Sequence, residues 1–121
     1  MNQRLPRNLR IHEPALIRLI LATGRKYTGN LLILFCLPAP DSRLLTRAGF
    51  LSPKRIGKAV KRNRVRRQLR EIFRRHRTEI AGSQQLLLMG RTSAIGADYR
   101  TLTDDFLRLC RKARLLSLRD P

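Results

Sequence analysis

Apolar residues come in clusters along this chain, and the spacing inside each cluster predicts its secondary structure. Leu16, Ile17, Leu19, Ile20 and Leu21 lie between Glu13-Pro14, which suits a helix start, and Gly24, which suits a stop. A short, nearly all-apolar and well-buried helix is predicted there. Residues 25–30 read as a short strand, and residues 31–37 as a second one, an unbroken apolar run closed by Pro38-Ala39-Pro40-Asp41. Residues 46–53 read as a third strand, in which Gly49 and Pro53 restrict pairing. From about residue 57 to 80 the period changes. Counted at 100° per residue, Val65, Leu69, Ile72, Phe73 and Ile80 share one helix face, which is assigned to the core. Past Gly82-Ser83, residues 84–90 with Leu86, Leu87, Leu88 and Met89 predict a fourth strand, and residues 92–98 a loop. Leu102, Phe106, Leu109, Cys110, Ala113 and Leu116 then recur at helical spacing. The predicted order is α-β-β-β-α-β-α, a sheet with flanking helices. Residues 1–12 are polar and basic without a period, and read as an extended arm anchored at Leu5 and Leu9.

Composition makes this pattern one domain, residues 1–121, with a formal charge of +19 and a hydrophobic content of 42%. That content supports a core, so the basic excess is mounted on a fold rather than on a disordered tail. Its distribution is uneven. Residues 54–77 hold 12 of the 27 Lys and Arg residues and one acid, Glu71. Opposite the core face of the predicted helix, Asn63, Arg66, Arg67, Arg70, Arg74 and Arg77 form a stripe at spacings of three or four. Each like-charge neighbour pair costs about a few tenths of a kcal/mol in an isolated helix, so the stripe calls for an external anion. Arginine matches phosphate bidentately and stacks on bases, which points to nucleic acid.

Chemistry within the protein is sparse. The eight acids are scattered, and only Asp104 and Asp105 adjoin, close to a helix start where capping accounts for them. His12 and His76 stand apart and read as surface or packed residues. No phosphate-binding glycine loop, zinc spacing or serine-hydrolase motif occurs, so neither a catalytic nor a metal residue is assigned. Cys36 and Cys110 read as buried core thiols, as in a reducing cytoplasm. No signal peptide or membrane-spanning run is seen, and the apolar face of the basic helix is needed for the core rather than for a membrane surface.

One stretch of the chain carries a family resemblance. Gly49-Phe50, then Lys54-Arg55-Ile56-Gly57-Lys58-Ala59-Val60, then Arg62-Asn63-Arg64-Val65-Arg66-Arg67-Gln68-Leu69-Arg70-Glu71 resemble, in one register, the signature of the protein subunit of bacterial ribonuclease P. Weaker similarity extends over most of the chain. The resemblance implies an α/β sandwich like a ribosomal protein S5 domain, with a four-stranded sheet and a left-handed β-α-β crossover carrying the basic helix. It implies a cytoplasmic ribonucleoprotein in which a large RNA, with bound magnesium ions, hydrolyses the phosphodiester joining the 5′ leader to tRNA. The expected partners are that RNA and the precursor tRNA, with no membrane or obligate protein partner. Lys54, Arg55, Lys58, Arg62, Asn63, Arg64, Arg66, Arg67 and Arg70 take the place of the family's contacts to the catalytic RNA. A cleft on the sheet face is expected for the single-stranded leader, with Ile17, Leu21, Phe35 and Arg91 as candidates. Ile17 and Leu21 stand where the family tends to have phenylalanines; Pro53 and Lys58 stand where it often has Ser and Asn. The competing reading is a structural RNA-binding module such as a ribosomal protein.

Overall fold

The computed structural model describes residues 5–116. Its helices and strands follow in the predicted order: α1 (Pro14–Thr23), β1 (Arg25–Thr28), β2 (Leu32–Pro38), β3 (Arg47–Leu51), α2 (Ala59–His76), β4 (Gln84–Gly90) and α3 (Tyr99–Lys112). The strands form one sheet in the order β1-β2-β4-β3. β1 and β2 are antiparallel, as are β2 and β4, whereas β3 and β4 are parallel. Parallel neighbours need a crossover rather than a tight turn, and α2 supplies it.

Because side chains alternate across a strand, the sheet sorts its residues into two layers. Leu32, Leu34, Cys36, Ala48, Leu86 and Leu88 face the larger core, where they meet Val65, Leu69, Ile72 and Phe73 of α2 and Leu102, Phe106, Leu109 and Cys110 of α3. Phe35 and Leu87 face the other way, onto Ile20 of α1 and Ile11 of the arm. Burial on both faces is why β2 and β4 read as continuous apolar runs with no alternation. Val65, Leu69, Ile72 and Phe73 are buried on the core face assigned to α2; Ile80 is buried too, but beyond the helix, which ends at His76 and gives way to a 3-10 turn at Arg77–Glu79 rather than running on to residue 80. Both cysteines are free and buried, and burial pushes each thiol up to about 12.

Four other expectations need correction. α1 is not well buried: only Ile20 is fully covered, while Leu19 and Leu21 are 49% and 39% exposed. Among the described residues one helix lies on this side of the sheet, and nothing packs against its outer face. The arm is not extended throughout; a 3-10 turn at Arg7–Leu9 buries Leu9, and the chain then bridges to the outer edge of β3 through Arg10 and Ala48. Residues 1–4 of the arm lie outside the described residues. The predicted 92–98 loop opens with a 3-10 turn at Thr92–Ala94. Asp104 and Asp105 are not caps. α3 begins two turns earlier, where Asp98 accepts a hydrogen bond from the Thr101 N–H at 2.7 Å, and Asp105 is turned inward.

Candidate nucleic-acid interface

The basic surface begins at the end of β3. A 3-10 turn at Lys54–Ile56 follows Pro53, and Gly57, at φ 119°, turns the chain into α2. That φ is one L side chains rarely adopt, so a glycine belongs there. Lys58 occupies the N-cap with no capping side chain, and the first turn of α2 contains no acid. The partly positive helix start is therefore reinforced by cations instead of being offset.

Side chains of α2 hold this entry in place. The Ser52 hydroxyl donates to the Arg62 carbonyl at 3.1 Å, and the Arg62 guanidinium donates back to the Gly57 carbonyl. Arg66 donates to Ser52 Oγ at 3.2 Å and to Asn63 Oδ1. Of the nine residues proposed to face RNA, Arg62, Arg66 and Arg70 are half-buried, and Lys54, Arg55, Lys58, Asn63, Arg64 and Arg67 are exposed. Lys61, absent from that set, is exposed in the same turn. Further along, the stripe is drawn into the protein. Glu71 accepts from Arg74 at 2.9 and 2.6 Å and from Arg75 at 2.9 Å, and Arg75 also lies 5.7 Å over the Tyr99 ring. The Arg74 hydrogen bond, aided by Arg75, holds the Glu71 carboxyl down to about 2. The outward charge is thus concentrated in the first half of α2 and its entry.

A second basic feature lies on the α1 side of the sheet. Here Ile33 of β2 and Met89 of β4 floor a groove of about 640 Å³, walled by Lys26, Thr28, Arg55 and Arg91. Arg55 thus stands on the groove as well as on the entry to α2. Arg91 donates to the Gly29 carbonyl at 2.6 Å.

Of the residues expected in a leader cleft, only Arg91 lines this groove. Phe35 is 6% exposed, enclosed with Ile11, Ile20 and Leu87, so the expected stacking platform is a core residue. Its place opposite Lys26 puts it beneath α1. Ile17 is half-buried against the same cluster, and Leu21 faces outward. Lys26, Thr28, Ile33 and Met89 were not singled out from sequence. Their alternation would have placed them on one face, but only the β1–β2–β4 register brings them together.

Acid–base groups elsewhere are engaged structurally. His76 Nδ1 meets Glu79 Oε2 at 2.9 Å, and Arg47 binds Glu13 at 2.7 Å, a hydrogen bond that brings the Glu13 carboxyl down to about 2. Among the described residues no group of three or more His, Cys, Asp or Glu is placed to hold a metal ion, and no helix is long and apolar enough to cross a membrane.

Known proteins resemble this chain in sequence and in fold. Residues 5–114 match the family "Ribonuclease P". The chain is 34% identical over 99 residues to the ribonuclease P protein component of Natranaerobius thermophilus, covering 82% of this chain and 84% of that one. It is 38% identical over 109 residues to that of Chloroflexus aggregans, covering 89% and 79%. Among solved structures, the RNase P protein of Staphylococcus aureus superposes with a TM-score of 0.78 at 20% identity, covering 90% of this chain and 98% of the other. That of Thermotoga maritima does so at 0.71 and 23%, covering 92% and 97%. At those identities the structures attest the fold alone.

Proposed function

The chain belongs to the ribonuclease P protein family, and from that premise we propose that it joins the enzyme's RNA to the substrate's leader using two different surfaces. Membership makes it a subunit of an endoribonuclease of tRNA processing, associated with ribonuclease P RNA. In our reading the first half of α2 and its entry bind that RNA, and the groove on the α1 side takes the single-stranded 5′ leader of precursor tRNA. The observation that carries this reading is the placement of two cationic surfaces on opposite layers of one sheet, with Arg55 at their junction.

The chemistry assigned to each surface follows from its residues. Arg64, Arg67, Lys58 and Lys61 supply exposed cations along one helix, which suits a rigid line of phosphates. The groove has few cations over an apolar floor, which suits an unpaired strand whose phosphates meet Lys26, Arg55 and Arg91 while a base rests on Ile33 and Met89. Aliphatic contact with bases is weaker than aromatic stacking, so most of the groove's affinity falls to its cations. The protein positions and neutralises; phosphodiester hydrolysis is assigned to the RNA and to magnesium ions held mainly by it. Two reduced, buried thiols accord with work in the cytoplasm.

The test is precursor-tRNA cleavage at low magnesium by protein, by transcribed ribonuclease P RNA, and by both together, with the cut mapped. Cleavage at the mature 5′ end that requires both components supports the proposal. No stimulation at any protein ratio overturns it and favours a ribosomal type of module.

A further inference from the structure

We infer that Asp105 is a positioning residue for the groove: it grips the β1–β2 turn from the α3 side and thereby determines where the Arg91 guanidinium stands on the other. This rests on the reading of the groove as a single-strand site.

Asp105 sits in α3 with its side chain 5% exposed. Its carboxylate accepts from three successive backbone N–H groups, Asn30 at 3.3 Å, Leu31 at 2.9 Å and Leu32 at 3.2 Å, and from Arg108 at 2.6 Å. A carboxylate removed from water is retained only when donors surround it, and here they come from a segment 73 to 75 residues distant in sequence. Burial by itself would raise the pKa. The Leu31 N–H, the Arg108 guanidinium and the N–H groups of Asn30 and Leu32 outweigh it and hold the carboxyl below its ordinary value. The turn is shaped for this contact. A Cβ on Gly29 would lie 2.5 Å from Asp105 Oδ2, so any other residue there forces the turn and the carboxylate apart.

The carbonyls of the same turn point to the groove. Gly29 O accepts from Arg91 Nη1 at 2.6 Å, Asn30 O from the Ser93 hydroxyl, and Leu31 O from the Arg91 backbone N–H at 2.9 Å. Arg91 and Ser93 both line the groove. One short turn is therefore held by α3 through its N–H groups and holds a groove cation through its carbonyls. Displacing it moves the guanidinium that meets the leader.

The experiment uses holoenzyme reconstituted with ribonuclease P RNA and two precursor tRNAs, one with a long leader and one with a single-nucleotide leader. The ratio of their affinities isolates what the leader contributes. Arg91→Ala is expected to lower that ratio by about tenfold, as for one charge-assisted contact. Asp105→Asn, with Arg91 still present, is expected to lower it by most of that factor, and the double variant by no more than Arg91→Ala alone. Affinity for ribonuclease P RNA should not move. A merely structural Asp105 would lower the melting temperature and leave the ratio intact. That result, or additive losses in the double variant, overturns the inference. Should Asp105→Asn not fold, Gly29→Ala carries the same test, because it separates the turn from the carboxylate while keeping both. If Arg91→Ala itself leaves the ratio unchanged, the leader assignment of the groove has failed, a separate outcome.

Discussion

Replacing Arg64 and Arg67 together by alanine probes the α2 surface where the structure makes it most accessible. Both side chains are exposed, and they stand three residues apart, while Arg62 and Arg66 are committed to the entry loop. Stability should barely change. Exposed substitutions stay within about 0.5 kcal/mol, and removing Arg67 relieves like-charge contacts with Arg64 and Arg70, worth about 0.2–0.5 kcal/mol each. RNA binding should change considerably. Each lost phosphate contact reduces the salt slope by about 0.9 for a duplex or 0.7 for a single strand. At about 0.15 M salt that corresponds to a loss of about 3.8- to 5.5-fold per contact, hence roughly 14- to 30-fold for the pair. The assay is titration of ribonuclease P RNA at several salt concentrations, beside a charge-matched control, Arg7→Ala with Arg18→Ala, both exposed and outside α2 and its entry. An unchanged slope in the α2 variant, or an equal loss in the control, would refute the argument that α2 carries the interface rather than net charge at large.

Other consequences concern the interior. Phe35→Ala should destabilise the protein by about 3–5 kcal/mol in urea unfolding, as for a buried aromatic, whereas Phe35→Leu should leave leader-dependent affinity unchanged; a selective leader defect in the leucine variant would return Phe35 to the site. Cys36 and Cys110, pushed up to about 12 by burial, should react with a thiol reagent only as fast as the protein opens, so rapid labelling under native conditions would contradict the packing. The Glu71 carboxyl, brought down to about 2 mainly by Arg74, contributes stability that is present above its unfolded pKa of about 4.3 and lost as pH falls through about 2. Glu71→Gln should flatten that part of the acid unfolding curve, measured by urea midpoints across the window, and an unchanged curve would rule out the pairing.

Periodicity made most of the fold legible because each element is dominated by one pattern. α2 shows its core face in Val65, Leu69, Ile72 and Phe73, and β2 and β4 show burial on both sides as apolar runs. What the pattern did not reveal was which apolar residues lack a cover. α1 reads as buried from composition, yet it packs on the sheet along one side only, a matter of how many helices each face receives. Phe35 shows the reverse: an aromatic in a strand reads equally as platform or core until the position of α1 is known. The groove was the least legible feature. Its cations come from β1, from the turn before α2 and from the end of β4, so no local motif contains it. Asp105 reads as a cap for a related reason, since its backbone partners lie more than 70 residues away.

The acids clarify how so basic a chain remains a folded domain with its charge turned outward. Glu13 ties α1 to β3 through Arg47, Glu71 holds Arg74 and Arg75, Glu79 meets His76, Asp98 caps α3, and Asp105 secures the β1–β2 turn. Each acts as a local fastening, and among the described residues none is ion-paired with Arg64 or Arg67 or lines the groove. Had the same carboxylates been spread over the surface, they would have neutralised the field that attracts phosphate. Placing these five at joints lets the fold gain from them while leaving the first half of α2 and the groove strongly cationic, and the remaining self-repulsion along α2 is relieved when a polyanion lies on it.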